Sequence, residues 1–187
     1  MTSRNLTGTE AKRLQREWRH RTELPLGLLL DNVQTPFNVG AILRTAASFR
    51  VSHLWLAGSS ATPASDKTRK TSLGTERFVP WTVVETVSAG AAEARALGMR
   101  LVGVELAIDA QPLPDAELAV APGGVCLVLG HEDHGLSKEA FAACDVFVHV
   151  PTPGKVGSLN VATAAAIALY EARRQEWFGP QAASNGE

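Results

Sequence analysis

The sequence is short of the features that mark secreted, membrane-spanning or metal-bound proteins. Its two cysteines, Cys126 and Cys144, each sit in an apolar stretch and read as buried reduced thiols, not as a disulfide or a metal pair. No apolar run approaches the roughly 20 residues needed to span a bilayer. Residues Met1–Glu10 lack the apolar core of a secretion signal. A soluble, cytoplasmic protein without membrane contact is therefore expected. Aromatic residues make up only 6% of the chain, while alanine and glycine are plentiful, a composition suited to helices packed closely on a sheet. Two nucleotide-binding fingerprints are also missing, since neither G-x-x-x-x-G-K-[ST] nor G-x-G-x-x-G occurs.

What remains is 187 residues, 45% of them hydrophobic, enough for one α/β domain with a proper core. A net charge of −1 conceals an asymmetry. Residues 1–23 hold six Lys/Arg against three acids, and residues 66–77 hold four against two. Residues 78–154 hold three basic residues against ten acidic ones. A polyanion would be drawn to the N-terminal arm and the 66–77 segment, through Arg13, Arg16, Arg19, Lys67, Arg69 and Lys70. A solvated amphipathic helix explains the arm equally well.

Periodicity divides the chain into a basic helical arm (1–24), a central α/β domain (25–177) and a disordered tail (178–187). In the arm, Leu14 and Trp18 form a narrow apolar stripe at i, i+4 spacing. Continuous apolar runs at 26–30, 53–57, 100–106, 125–129 and 146–150 predict buried strands, and 78–84 is a candidate short strand. Helices are expected at 39–49, with Asn38 as N-cap, and at 86–97, 136–143 and 159–175. The stretch 67–76 reads as basic and irregular. Strands alternating with helices imply a mostly parallel sheet with helices on both faces, which binds ligands at the carboxyl ends of its strands.

Three segments are odd for pure packing, and each follows a predicted strand. In the first, Asn38-Val39-Gly40-Ala41-Ile42-Leu43-Arg44-Thr45-Ala46, an arginine lies nearly two turns inside an apolar helix. It is either a surface residue with its stem on the core or the ligand of an anion. In the second, Gly130-His131-Glu132-Asp133-His134-Gly135-Leu136, a glycine directly after a strand admits a ligand to the backbone. His131 and His134, with Glu132, also permit a metal-dependent hydrolase, although zinc sites usually show three or four ligands and no partner motif is evident. In the third, Val150-Pro151-Thr152-Pro153-Gly154-Lys155-Val156-Gly157-Ser158-Leu159-Asn160-Val161, a Gly/Pro loop enters an Ala-rich helix whose N-terminus offers free N–H groups. A capped loop with Ser158 as N-cap is the plain alternative.

Together and in this order the three segments resemble the signature blocks of the SpoU/TrmH-type ribose methyltransferases of the SPOUT superfamily. They are similar to the blocks N-x-G-A-x-x-R-T-A, G-x-E-x-x-G-L and I-P-x-x-G-x-V-x-S-L-N-V, and the likeness spans about residues 27–175. The resemblance implies an α/β fold with a deep C-terminal trefoil knot and a homodimer whose active sites are completed across the interface; the sparse ligand set of the second segment gives the expectation of no metal. It implies S-adenosylmethionine as cofactor, held by Glu105, Leu106, Leu129, Gly130, His131, Glu132, Gly135, Val150, Pro151, Thr152, Ser158 and Leu159. Thr152 stands where the family often has Met, and Val150 where it often has Ile.

The resemblance further implies Arg44 as the central catalytic residue, with Asn38, Glu132, Ser158 and Asn160 shaping the site. Methyl transfer from a sulfonium is an in-line displacement that depends on positioning. A guanidinium stays charged, so the physical role expected for Arg44 is to hold an RNA phosphate and stabilise the developing alkoxide. A phosphate-assisted proton-accepting role is the alternative, and His131 and His134 are rival bases. The resemblance implies RNA as the substrate. This chain shows no separate N-terminal RNA-binding domain of the sort many ribosomal-RNA members carry, and Lys70–Trp81 and Gly98–Leu106 look like the tRNA-type branch. A tRNA is therefore expected, often a D-loop guanosine in that branch, with ribosomal RNA or a catalytically silent RNA-binding homologue as alternatives.

Overall fold

A computed structural model describes residues 3–118 and 123–179. Among them, seven strands form one sheet: β1 (Leu26–Asp31), β2 (His53–Ala57), β3 (Trp81–Val84), β4 (Arg100–Val104), β5 (Gln111–Pro112), β6 (Val125–Leu129) and β7 (Val146–His149). Their order is β3-β2-β1-β6-β4-β7-β5, and every pairing is parallel. β6 enters between β1 and β4, and β7 between β4 and β5, so the C-terminal third of the chain is interleaved with strands laid down earlier. Six helices accompany the sheet: α1 (Gly8–His20), α2 (Pro36–Ser48), α3 (Asp66–Ser72), α4 (Val87–Ala96), α5 (Lys138–Ala143) and α6 (Val161–Phe178).

Side chains of a strand alternate between faces, and the core divides accordingly. Leu28, Leu30, Leu54, Leu56 and Leu127 point to the face covered by α2 and α6, where Ile42, Leu43 and Leu169 meet them. Leu29, Trp55, Leu101, Cys126 and Val128 point to the opposite face, under Ala91 and Ala94 of α4 and Ala140 of α5. The expected parallel sheet with both faces covered is the observed one. Burial pushes both thiols up, Cys144 to about 12, and neither is in a disulfide.

Several boundaries differ from expectation for local reasons. Thr35, not Asn38, occupies the N-cap of α2, because Pro36 takes the first helical position, where its missing N–H costs nothing. Asn38 then falls inside the first turn, buried, with its side chain free for other partners. Likewise Asn160, not Ser158, caps α6 and accepts from the Ala162 N–H at 2.9 Å. The 67–76 stretch is not irregular: it forms α3 and then a short 3-10 turn, Thr75–Phe78. The strand expected at 78–84 begins only at Trp81, and the run 100–106 leaves the sheet after Val104. β5 was not expected at all inside a Pro-rich connection. Of the segment expected to be a disordered tail, Phe178 ends α6, and 180–187 lie outside the described residues.

The arm is docked by its end. Trp18 packs on Trp177 with ring centroids 4.8 Å apart. The indole N–H of Trp177 donates to Thr22 Oγ1 at 3.0 Å. Beside them, Arg173, 3% exposed, donates to the carbonyls of Leu24, Phe49 and Arg50 and pairs with Glu176 at 2.6 Å. Glu176 in turn accepts the Leu24 N–H at 2.8 Å. A buried ion pair with its hydrogen bonds satisfied thus ties the start of β1 to the end of α6.

Candidate active site

At the carboxyl ends of β4, β6 and β7 the loops leave an open cleft of about 710 Å³. Its floor is the turn after β6, which the sequence builds from two glycines. Gly135 has φ +66°, in the left-handed region that glycine enters without strain, and lets residues 131 and 135 exchange backbone hydrogen bonds at 2.9 Å each. A Cβ on Gly130 would meet the Gly135 carbonyl carbon at 2.2 Å, so the turn folds back on the strand end only with glycine there. Glu105, just beyond β4, accepts the Leu136 N–H at 2.9 Å and fixes the turn from the other side.

Three hydrogen-bonded residues join the three sequence segments. Asn38 Nδ2 donates to Glu132 Oε1 at 2.9 Å, and Asn160 Nδ2 donates to Asn38 Oδ1 at 3.0 Å. Glu132 also accepts the backbone N–H groups of Thr35 at 3.0 Å and Gln34 at 3.3 Å, at the N-terminus of α2. A carboxylate is favoured there by both the free amides and the helix dipole. Partial burial alone would raise its pKa, but the hydrogen bonds from Asn38 and Thr35 prevail and hold it at about 2. Glu132 is therefore ionised at neutral pH and acts as a strut between the β6 turn and α2, not as a proton donor.

Eleven of the residues expected to hold the cofactor line the cleft: Glu105, Leu106, Leu129, Gly130, His131, Glu132, Gly135, Val150, Thr152, Ser158 and Leu159. Pro151 does not; it is exposed, while its neighbours Val150 and Thr152 line the cleft. Val104, His149, Gly157, Val161 and Ala164 also line it and were not anticipated; the alternation of β7 and the spacing of α6 would have pointed to His149 and to Val161 and Ala164. Asp31, which closes β1 and accepts the Ser137 N–H at 2.7 Å, was missed as a brace for the loop after β6. The lining contains Glu105, Glu132 and Asp133 and, among the described residues, no Lys or Arg.

Arg44 lies elsewhere. It is exposed on α2, one turn beyond Gly40, does not line the cleft of its own chain and forms no salt bridge among the described residues. Gly40 permits the crossing of α2 with α3: a Cβ there would meet Thr71 Cβ at 2.6 Å and the Thr68 carbonyl oxygen at 2.7 Å. The glycine of the first motif thus serves helix packing, and it brings Arg44 to the side of α3, where Lys67, Arg69 and Lys70 are exposed. Arg69 pairs with Asp66, whereas Lys67 and Lys70 have no salt bridge among the described residues. Arg13, Arg16 and Arg19 are exposed on α1, with Arg13 paired to Glu17 at 3.2 Å.

The histidines of the second motif stack on each other, ring centroids 4.7 Å apart and 26° from parallel. His131 Nδ1 accepts the Asp133 N–H at 3.0 Å. Glu132 is committed to α2, so the hydrolase reading has no converging ligand set. Among the described residues no group of three or more His, Cys, Asp or Glu is arranged to hold a metal ion, and no helix is long and apolar enough to cross a membrane.

Comparison with known proteins gives concordant matches. Residues 25–170 match the model of the SpoU rRNA Methylase family. The 23S rRNA (guanosine-2'-O-)-methyltransferase RlmB of Nitrosomonas europaea is 35% identical over 154 residues, which is 82% of this chain and 58% of that protein. The chain spans between 54% and 59% of the length of the curated relatives it matches. Among solved structures, the SpoU methyltransferase AviRb of Streptomyces viridochromogenes in complex with AdoMet superposes with a TM-score of 0.71 at 32% identity, covering 82% of this chain and 61% of that one. The A. aeolicus TrmH/SpoU tRNA modifying enzyme gives a TM-score of 0.73 at 25% identity, covering 91% of this chain and 88% of that one.

Proposed function

The chain belongs to the SpoU methylase family, and on that premise we propose that it transfers a methyl group from S-adenosylmethionine to a ribose 2′-hydroxyl of RNA. The observation that carries the reading is the cleft at the ends of β4, β6 and β7, with the Glu132–Asn38–Asn160 relay behind it. The residues present fit the cofactor. Apolar walls from Leu106, Leu129, Val150 and Leu159 suit an adenine, and backbone groups at Gly130 and Gly135 lie within reach of a ligand. The lining charges are carboxylates, which suit a sulfonium. When bound, S-adenosylmethionine supplies the electrophilic methyl group.

The chain's own residues position the reaction. Glu132 and Glu105 hold the turn after β6 in a fixed shape, and Asn160 ties the start of α6 to the same frame. Leu159 and Ser158 form the wall between cofactor and substrate. Arg44 has a free guanidinium outside its own cleft, which supports the reading that it serves the cleft of a second copy in a homodimer. There it holds an RNA phosphate and stabilises charge developing on the 2′-oxygen, a job for a fixed cation and not for a base. The C-terminal interleaving of β6 and β7 supports the trefoil knot that the family resemblance implies.

The sequence reading favours tRNA; the relatives with 23S rRNA guanosine activity favour ribosomal RNA as the second reading. A guanosine ribose is common to both. We place the activity in the cytoplasm. The test is nucleoside mass spectrometry of tRNA and ribosomal RNA from a strain lacking the gene. Loss of one 2′-O-methylnucleoside supports the reading and names the RNA, whereas unchanged methylation of every RNA class sinks it.

A further inference from the structure

Residues 67–83 leave on the surface a set of side chains that neither the core nor the cleft uses. Phe78 is 63% exposed and Trp81 36% exposed. Such large aromatic faces are held in water at a cost unless something covers them. Trp81 belongs to one side of the sheet, and the short turn Thr75–Phe78 packs against α2 and α3. Trp81 pairs in register with Leu54, whose side chain faces α2 and α6, and Val79 between them is buried in that same core. α3 reaches this side through its contact with Gly40 of α2. The aromatics therefore share a face with α3 and with Arg44, at the β3 edge of the sheet.

The cations around them form no ion pairs among the described residues, Arg69 excepted. Lys67, Lys70 and Arg77 form no salt bridge among the described residues, and the Arg77 guanidinium lies over the Phe78 ring, 4.7 Å from its centroid. The two acids of the segment are occupied: Asp66 pairs with Arg69, and Glu76 accepts from Ser72 Oγ at 2.5 Å. Exposed rings beside cations free of ion pairs match an unpaired nucleic-acid strand, in which each base offers a π-face and each linkage a negative charge. A protein surface would supply the apolar contact but not a regular series of anions. The cleft lining, which among the described residues holds no Lys or Arg, offers the strand no comparable set of cations from its own chain.

We propose that Phe78 and Trp81, flanked by Arg77, Lys70 and Lys67, form a stacking platform for unpaired bases of the RNA substrate, outside the site of methyl transfer. β3 and β6 are three strand positions apart, about 14 Å at ordinary strand spacing. Within one copy the platform therefore lies apart from the cleft, and we assign it to RNA flanking the target nucleotide. It selects RNA in which a loop or an unpaired end lies near the methylated ribose. The inference rests on the RNA reading above.

The experiment is fluorescence anisotropy of a labelled, unstructured oligoribonucleotide on the full chain, together with intrinsic tryptophan fluorescence. Phe78→Ala should weaken binding roughly tenfold, the loss of one stacked base, while Phe78→Trp retains it. Oligonucleotide should quench tryptophan emission in the wild type, and Trp81→Phe should remove that quench. S-adenosylmethionine affinity by calorimetry should match wild type in all three variants, which separates loss of the platform from loss of the fold. Wild-type affinity in Phe78→Ala, or a quench that persists in Trp81→Phe, overturns the platform. A change of oligomeric mass in Phe78→Ala also overturns it, because the patch is then a protein interface. If the wild type methylates RNA while these results fail, only the platform falls; if the wild type neither binds nor methylates RNA, the underlying reading falls with it.

Discussion

Around the cleft at the ends of β4, β6 and β7, the charged side chains are carboxylates; on α2, α3 and the turn before β3, the unpaired ones are cations. The two sets also differ in what they do for the protein. Glu132 and Glu105 accept backbone N–H groups of the chain and hold loops in place. Among the described residues, Arg44, Lys67, Lys70 and Arg77 make no such side-chain bonds and are available to a ligand. A charge with intramolecular partners is part of the scaffold, while a charge without them points outward to a partner. Under the proposed function, the contrast suits a cationic cofactor in one region and a polyanionic substrate in the other.

The comparison breaks most visibly at Arg44. Arg44→Ala should lower methyl transfer by about a hundredfold to a thousandfold, the cost of removing a fixed donor to developing charge, with cofactor affinity by calorimetry nearly unchanged. The reciprocal change is Leu159→Arg, which puts a cation into the cleft wall. It should weaken S-adenosylmethionine by roughly a hundredfold and leave RNA affinity in a filter-binding assay as it was. If either variant loses both ligands together, the division between the regions fails.

Gly40→Ala tests the geometry of the basic face alone. Its Cβ meets α3 at 2.6 Å, so overpacking should cost about 1–3 kcal/mol in urea unfolding and reduce RNA binding by displacing α3, with cofactor binding retained. The cleft has its own signature in acid. Glu132 titrates at about 2 in the folded protein, below its ordinary value of 4.5. Its contribution to stability is complete above that ordinary value and is lost as pH falls toward 2. Thermal unfolding should show that loss in the wild type and a shallower one in Glu132→Gln. The smallest effect belongs to a single surface cation: Lys67→Ala should weaken RNA evenly across sequences and reduce the salt dependence by roughly one unit of slope.

The alternation of apolar runs and helices made the sheet and its two covered faces legible, because burial on both sides leaves a continuous apolar pattern. Strand order was not legible from that pattern, since β6 inserts between β1 and β4 through contacts far apart in sequence. The cleft residues were legible from their likeness to a family, and eleven of the twelve line it. What periodicity could not give was the use of each residue. Asn38 looked like a cap because Asn at a helix start usually is one; Pro36 took the helix start upstream and left Asn38 to join Glu132 to Asn160. Phe78 and Trp81 fell in the segment 78–84 read as a short strand, where their use could not be told; their exposure became evident only once Val79 between them was seen to be buried.

The most direct test of the account is transfer in vitro. The purified chain is incubated with S-adenosylmethionine carrying a labelled methyl group and with RNA from a strain lacking the gene, and the RNA is digested to nucleosides for mass spectrometry. The account predicts label on the ribose 2′-oxygen of one nucleoside, present with wild-type protein and reduced by about a hundredfold or more with Arg44→Ala. Label on a base, or no label in RNA while the cofactor is bound, would contradict it.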